Sequence, residues 1–528
     1  MTEQTPVGIV GAGPVGLALA VRLADFGIPS VILDREPALR REGSKACLIQ
    51  GDVLEILDKA GRGQQIADEG VRWHIARTYV RGRQVEVRDY PIPIGYGPFV
   101  NISQYRIEQV LLEEVNRRPE CTVYWNRPVT QVTQDDDAVT VTAGGERHHF
   151  RYLAACDGVR STLRTLAGAG WQGDSYPDTF LITDIRAKLP LAAERHFHYD
   201  PPFNPGRQLV MHAQPDDVWR IDWQLPPDAD IEAERRSGDL DARIRQVIGD
   251  IPYKIEWLST YHFQARSVEH FRRGRIFFAG DAAHALPPYG SRGMNSGIQD
   301  ADNLAWKLAW VLAGRSGPEL LDTYHIERYQ ATQENLRVTG ATIRFMQPAS
   351  AARRWIRSIL LRAALAAGPL ARYVNSGKMA EPFRYGRSPI IDRAGPDPLA
   401  GMFAPDLAVL AGGVPTRLRR HFGAGFVAVH VAADAEAATV LGPRRGGLEH
   451  VIVCASGTPA ARDTGTGGPR VVRCAPGGST APYRPGHWYL VRPDGHIAAT
   501  GPAAALDTLA SVHARCSGAA DLLDATPA

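Results

Sequence analysis

Val7-Gly-Ile-Val-Gly-Ala-Gly-Pro-Val-Gly-Leu-Ala-Leu-Ala-Val-Arg-Leu-Ala-Asp-Phe-Gly27, continued by Ser30-Val-Ile-Leu-Asp34, decides the fold. A short apolar run predicts a buried strand. It feeds into Gly11-x-Gly13-x-x-Gly16 and an Ala/Leu-rich helix that stops at Gly27, where a terminating glycine belongs. A second buried strand follows and ends in an acid, Asp34. Each position has a physical role in cradling a dinucleotide. Gly11 permits the tight turn, Gly13 lets the backbone approach a pyrophosphate, and Gly16 lets helix and strand pack closely. The helix N-terminus, at Pro14 and Val15, directs free N–H groups at the phosphates. Asp34, 23 residues beyond Gly11, is placed to accept hydrogen bonds from a ribose diol and would repel a 2′-phosphate. The tightly held nucleotide is therefore expected to be FAD or NAD, not NADP. A glycine-rich turn in some other α/β unit is the bland rival; strand, helix and terminal acid together argue against it.

Outward from this unit, 528 residues suggest three or four domains at roughly 150 residues each. With 44% hydrophobic and 22% charged residues, the composition excludes a disordered or fibrous chain. Lys+Arg is 60 against Asp+Glu 57, a balance that gives no support to a nucleic-acid partner. The six cysteines form no C-x-x-C pair, so neither a disulfide framework nor a metal site is expected. The polar N-terminus reads as neither signal peptide nor spanning helix; a soluble, cytoplasmic protein without a membrane partner is expected.

After the fingerprint the strand–helix alternation lapses. A hairpin is predicted over 75–90, turning near Arg81-Gly82; a helix over 103–116; and a meander over 121–150, turning at Gly144-Gly145. Strand patterns dominate 174–263, including a hairpin over 209–225 joined by Pro215-Asp-Asp217. Its alternation puts Arg220, Asp222 and Gln224 on one face and Trp219, Ile221, Trp223 and Leu225 on the other. That polar row is either a substrate wall or a solvent-facing strip. The nucleotide domain resumes at Arg275-Ile-Phe-Phe-Ala-Gly280-Asp281, an acid-tipped strand, followed by a Pro-Pro-Tyr-Gly loop and a long helix over 297–314. The chain thus divides into a nucleotide domain over 1–174 and 271–345, a β-rich insertion over 175–270, a helical linker over 346–396, and a separate domain over 397–528. In the linker Arg353, Arg354, Arg357 and Arg362 flank Trp355, Ile359 and Leu360. A solvated basic face on a packing helix is preferred there to a membrane-surface helix.

Three motifs together resemble the group A FAD-dependent aromatic hydroxylases, the para-hydroxybenzoate and phenol hydroxylase family. They are the fingerprint with Asp34-Arg35, the segment Ala155-Cys-Asp-Gly-Val-Arg-Ser-Thr-Leu-Arg164, and Gly280-Asp281-Ala-Ala-His284 with the loop leading to Gly293-Met-Asn-Ser-Gly-Ile-Gln-Asp. The tail, with Tyr489-Leu-Val-Arg-Pro-Asp-Gly-His, is similar to the thioredoxin-like C-terminal domain of longer members such as 3-(3-hydroxyphenyl)propionate hydroxylase; lacking C-x-x-C, it is not expected to run dithiol chemistry. The fold class expected is α/β: a Rossmann-like FAD-binding domain, an inserted β-sheet substrate domain and a thioredoxin-like C-terminal domain.

The resemblance implies that Gly11, Gly13, Pro14, Val15 and Gly16 hold the FAD pyrophosphate, with Asp34-Arg35 at the adenosine and Gln104 near the flavin. It places Asp157, supported by Arg164, at FAD and at a transient nicotinamide, and Gly280-Asp281 at the ribityl hydroxyls. The family's usual arginine near the phosphates is replaced by Lys45, which supplies charge without a bidentate fork. Backbone N–H groups of Met294 and Asn295, with Gly293 and Pro288, are expected at the flavin ring, where they would stabilise the negative charge of its reduced form. Pro288 and Tyr289 join Arg220, Asp222 and Gln224 as substrate-wall candidates. His212, with an unperturbed pKa of about 6.5, is the candidate proton acceptor. His284 reads as a structural histidine.

The chain has one complete strand-embedded fingerprint; the Gly465-Thr-Gly-Gly468 stretch lacks that context. NADH or NADPH is therefore expected to react transiently at the flavin face. The activity implied is an NAD(P)H-consuming monooxygenase that uses O2, through a flavin C4a-hydroperoxide, to hydroxylate a small phenolic substrate. The rivals are an FAD-dependent dehydrogenase or reductase, and a flavin-carrying sensor or scaffold. A halogenase is disfavoured, because Trp219-Arg-Ile-Asp-Trp223 does not match W-x-W-x-I-P. A homodimer through the C-terminal domain is a further expectation.

Overall fold

The computed structural model describes residues 5–40, 46–348, 350–366, 378–393, 397–432, 448–456 and 469–519. Strand Val7–Val10 enters helix Pro14–Asp25 through Gly11, whose φ of +105° is a conformation that side chains resist. A Cβ on Gly11 would lie 2.4 Å from the Cys156 carbonyl oxygen, and one on Gly16 would lie 2.0 Å from that of Gly11. The protein's own packing demands both glycines. Among the described residues this sheet has six strands, ordered Arg272–Arg273, Ile276–Phe278, Tyr152–Ala155, Val7–Val10, Ser30–Leu33, Cys121–Tyr124. All pairs after the first are parallel. The predicted meander is therefore shorter than 121–150: Cys121–Tyr124 joins the nucleotide sheet, and Val129–Gln134, Val139–Ala143 and Glu146–Phe150 make the meander.

Among the described residues the second sheet has eight strands: His284–Ala285, Lys254–Val268, Trp171–Arg186, Val218–Leu225, Gln208–Ala213, Arg195–Tyr199, Ile75–Val80 and Arg83–Asp89. It is assembled from segments that the sequence division kept apart. The hairpin Ile75–Val80/Arg83–Asp89, assigned to 1–174, pairs in parallel with Arg195–Tyr199, and the boundary at 175 falls inside a strand. Local periodicity predicts a strand, but its partner is chosen by distant side-chain packing.

The outer face of this sheet carries Trp219, Ile221, Trp223 and Leu225, which pack with Leu209 and Met211 against Ile231, Leu240, Ile244 and Ile248 of helices Ile231–Ser237 and Asp239–Ile248. Each such fully buried aliphatic side chain is worth roughly 1.5–3 kcal/mol. The opposite face, with Arg220 at 0% and Gln224 at 3% exposure, turns inward, which disposes of the solvent-facing alternative.

Among the described residues the C-terminal sheet has seven strands, with parallel Val427–Val431, Glu449–Cys454 and Arg470–Cys474 at its centre. This domain is locked to the nucleotide domain by a buried ion cluster. Arg492 donates to both carboxylate oxygens of Glu327 (2.6 and 2.9 Å), and Lys307 Nζ donates to Glu327 Oε2 at 2.7 Å. Asp494 accepts from Arg492, from Asn303 and from the Trp306 indole. In helix Ala351–Ala366, Leu361 and Ala364 pack inward, while Trp355, Ile356 and Ile359 are exposed beside Arg353 and Arg354. The helix thus packs through Leu361 and Ala364, and its outward basic face also carries apolar side chains. No described helix is long and apolar enough to cross a membrane.

Candidate active site

Strands Tyr152–Ala155 and Ile276–Phe278 run side by side, so their C-terminal ends deliver Asp157 and the Gly280-Asp281 turn to one edge of the nucleotide sheet. Asp157 Oδ2 accepts from the Leu163 N–H at 3.1 Å, but Oδ1 is buried without a partner among the described residues. Burial raises this carboxyl above the ordinary range. An unsatisfied buried carboxylate oxygen is costly, so the site is suited to a ligand that brings a donor. Arg164 ties the two turns together: it donates to the carbonyls of Ala282 (3.2 Å) and Val159 (2.7 Å) and lies 3.8 Å over the Trp171 ring.

Helix Gly293–Leu312 has no side-chain cap, and its first intrahelical bond runs from Ser296 N to Arg292 O at 2.8 Å. The N–H groups of Gly293, Met294 and Asn295 precede that bond and point the positive end of the helix outward. Asp281 stands beside this turn, since a Cβ on Gly293 would come 3.9 Å from its Oδ1. The Asn295 side chain is occupied otherwise. Its Oδ1 accepts from Gln50 N (3.0 Å) and its Nδ2 donates to Leu48 O (3.1 Å), which pins strand Leu48–Gln50 to the helix. Gly290 and Ser291 have φ of +79° and +53°, and left-handed backbone at a serine is local strain that the surroundings must hold. His284 Nε2 lies 2.8 Å from Asp300 Oδ2 in a fully buried pair.

At the other end of the fingerprint, Asp34 accepts from the backbone N–H groups of Ala12 (2.6 Å) and Glu36 (2.8 Å), so it steadies the glycine turn. Arg35 points away and pairs with Glu36 at the surface. Gln104 Oε1 accepts from Ala46 N (3.3 Å) and its Nε2 donates to Glu108 Oε1 (2.8 Å). Glu108 was not anticipated; burial, with Asp34 nearby, pushes its carboxyl up to about 7. Lys45 lies outside the described residues, as does the Gly465–Gly468 stretch.

Gly13 differs from its neighbours in the fingerprint: a Cβ there meets nothing within 4 Å. The protein's own packing leaves the space beside it open. Gly13→Val is expected to leave apoprotein unfolding nearly unchanged while weakening dinucleotide binding by at least about tenfold. Urea melts and a cofactor titration check this together, and a stability loss without a binding loss would show Gly13 to be structural.

The loop between these turns reaches the inner side of the eight-stranded sheet through Tyr289. Asp184, Arg220, His212 and Arg195 lie abreast on four neighbouring strands; Ile182, Asp222, Val210 and Phe197 form the next row. Arg220 is held by Asp184 through Nε (2.7 Å) and Nη2 (2.8 Å). Gln224 Nε2 donates to Asp178 Oδ2 at 2.5 Å. Tyr289 reaches across from the loop, its hydroxyl accepting from Gln208 Nε2 at 2.8 Å, while the Phe180 and Phe263 rings stack at 3.7 Å beside it. Pro288 is exposed.

His212 does not have the ordinary pKa that made it the candidate base. Burial, with Arg195 and Arg220 alongside, pushes it well below the usual imidazole range, and it stays neutral. Asp222 has the opposite shift. Burial lifts its carboxyl to about 7 against the pull of Arg220, and its Oδ1 has no partner among the described residues. Asp222 and Tyr261 are half-buried. The neighbouring Cys47 thiol is pushed up to about 12 by burial and stays protonated. Asp184 and Tyr261 are brought near Asp222 by strand register and Cys47 by packing between sheets, so none of the three was visible in the sequence.

A family model described as FAD binding domain matches residues 4–339, and one described as aromatic-ring hydroxylase, C-terminal, matches 397–520. The chain is 29% identical over 405 residues to a 3-(3-hydroxy-phenyl)propionate/3-hydroxycinnamic acid hydroxylase of Comamonas testosteroni, covering 74% of this chain and 67% of that protein. Its fold superposes on the flavin-dependent monooxygenase PieE, solved in complex with FAD and substrate, with a TM-score of 0.78 at 23% identity over 98% of this chain and 99% of that one. OxyS anhydrotetracycline hydroxylase from Streptomyces rimosus gives a TM-score of 0.73 at 27% identity, with 98% and 99% covered.

Proposed function

Since the chain belongs to the FAD-binding aromatic-ring hydroxylases, we propose that it consumes NAD(P)H and O2 to hydroxylate a phenolic ring held between the 290–295 turn and the inner face of the eight-stranded sheet. One observation carries this reading: the Tyr289 loop, which leads into the N-terminus of helix Gly293–Leu312, bonds to Gln208 on the sheet face that carries Arg220 and Asp222. The residues present fit FAD, because Gly13 leaves open space at the fingerprint and Asp157 Oδ1 awaits a donor.

In this reading Gly11, Gly13, Pro14, Val15 and Gly16 hold the pyrophosphate and Asp34 lies at the adenosine end; Gln104, expected near the flavin, is moved to that end because it bonds to Glu108 beside Asp34. Asp157 and Asp281 take the ribityl side, while Gly293, Met294 and Asn295 offer N–H groups to the ring. Bound FAD supplies a hydride acceptor for NAD(P)H and, once reduced, the group that activates O2. The protein does the rest. The helix N-terminus favours negative charge where it develops. Phe180, Tyr261, Phe263 and Tyr289 wall the site with apolar surface that excludes water. Asp222 Oδ1 takes the phenolic proton, which makes the ring electron-rich, and Arg220, fixed by Asp184, holds the resulting negative charge. With a neutral, weakly basic His212, His212→Gln is expected to change hydroxylation and NADH oxidation together and slightly. A selective loss of hydroxylation would return the base to His212.

The C-terminal domain reads as thioredoxin-like, supported by three central parallel strands, an antiparallel hairpin and the closing helix Leu509–Cys516. Burial raises the Cys454 and Cys474 thiols.

The test is a panel of phenols added to FAD-loaded protein, reading NAD(P)H consumption and product mass. A stimulated rate with one oxygen atom gained supports the proposal. Substrate-stimulated oxidation without oxygen incorporation would mark a dehydrogenase or reductase, and no stimulation by any phenol a sensor or scaffold.

A further inference from the structure

Tyr385 lies between the C-terminal domain and the cofactor side of the molecule, and it is 2% exposed. Its ring is held from the C-terminal domain: the His496 ring lies 4.3 Å away between centroids, and the Arg492 guanidinium 5.3 Å from its centroid. Its hydroxyl faces the other way and accepts from Arg328 Nη1 at 3.0 Å. Arg328 then divides. Its Nε donates to Asp300 Oδ1 (2.5 Å), and its Nη2 donates to the Ser296 carbonyl (3.1 Å). Asp300 Oδ2 in turn accepts from the backbone N–H of Gly280 at 2.9 Å. One guanidinium therefore grips both the turn that carries Asp281 and the first turn of helix Gly293–Leu312.

We propose that Tyr385 is a positioning residue for the flavin site: through Arg328 its hydroxyl holds the Gly280-Asp281 turn and the helix N-terminus at a fixed separation, and the C-terminal domain holds Tyr385. The proposal rests on the assignment of those two segments to FAD. It gives the C-terminal domain a function in cofactor binding although Arg492, Asp494 and His496 line none of the candidate site. Geometry dictates the arrangement, because a planar fork fixes the directions of several bonds at once, and a buried fork can pivot unless its remaining N–H groups are also held.

Tyr385→Phe removes only the oxygen. The apoprotein variant is expected to unfold at a somewhat lower urea concentration, because the buried Arg328 Nη1 loses an acceptor, and to bind FAD about tenfold more weakly. The visible absorption of whatever flavin it does bind is expected to shift. Arg417→Met serves as the comparison. It breaks a different buried interdomain pair, Arg417 with Glu55, remote in bonding from Arg328, and is expected to lower stability without changing FAD affinity. The proposal is overturned if Tyr385→Phe binds FAD within twofold of the unaltered protein, or if both variants weaken FAD equally. Unaltered apoprotein that fails to bind FAD would overturn the cofactor assignment itself, a result distinct from either.

Discussion

Asp222→Asn is expected to slow substrate hydroxylation by about 10²–10⁴-fold above neutral pH, the usual contribution of a positioned general base. Asparagine keeps the shape and cannot take the proton. The pH dependence makes the prediction specific. Burial holds the Asp222 carboxyl at about 7 in spite of Arg220, so below that pH it is protonated and cannot accept. Hydroxylation by the unaltered protein should rise as pH passes about 7 and then level off. In the variant that limb should vanish, leaving only a rise set by the phenol's own ionisation, near pH 10 for an unactivated ring. Stopped-flow measurement of hydroxylation separately from flavin reduction checks this. A variant with the same limb would place the base elsewhere.

Glu327→Ala is expected to destabilise the folded protein by roughly 3–5 kcal/mol, because it strands the buried Lys307 and leaves Arg492 only one of its two carboxylates, Asp494. Lys307 and Arg492 are both fully buried, and Lys307, already lowered to about 8 by burial, depends on Glu327 for most of its compensation. Their charges hold the Glu327 carboxyl well below the ordinary carboxylate range. Its stabilising contribution is therefore present above the unfolded-state pKa of about 4.5 and is lost only as pH falls through the depressed folded value. Urea unfolding at neutral pH, followed separately in the two domains, reads the loss. A small, pH-independent change would mean that the interface relaxes to readmit water.

Local chemistry made much of this protein legible. Gly16 is dictated by the Gly11 carbonyl five residues back and Gly11 by its own positive φ, and the acids Asp34 and Asp281 sit at or just beyond strand ends, where apolar runs stop. The two-residue turn at Arg81-Gly82 takes the left-handed backbone that its hairpin spacing required. Such features depend on neighbours in the chain, so periodicity and spacing carry them. The base assignment failed for the opposite reason. His212 and Asp222 lie on adjacent strands with comparable patterning, and only burial among Arg195, Arg220 and Asp184 drives one down and the other up.

The amino-acid sequence by itself therefore determined the nucleotide fold, the cofactor turns and the family, because these rest on short-range backbone constraints. Only the tertiary structure decided which strands make up the eight-stranded sheet, that its polar row faces inward, which carboxyl in that row burial lifts to about 7, and which contacts of Arg492 and Tyr385 join the last domain to the first. Each of those outcomes is fixed by contacts between residues far apart in the chain and by the desolvation that such contacts impose, quantities that no single stretch of residues contains.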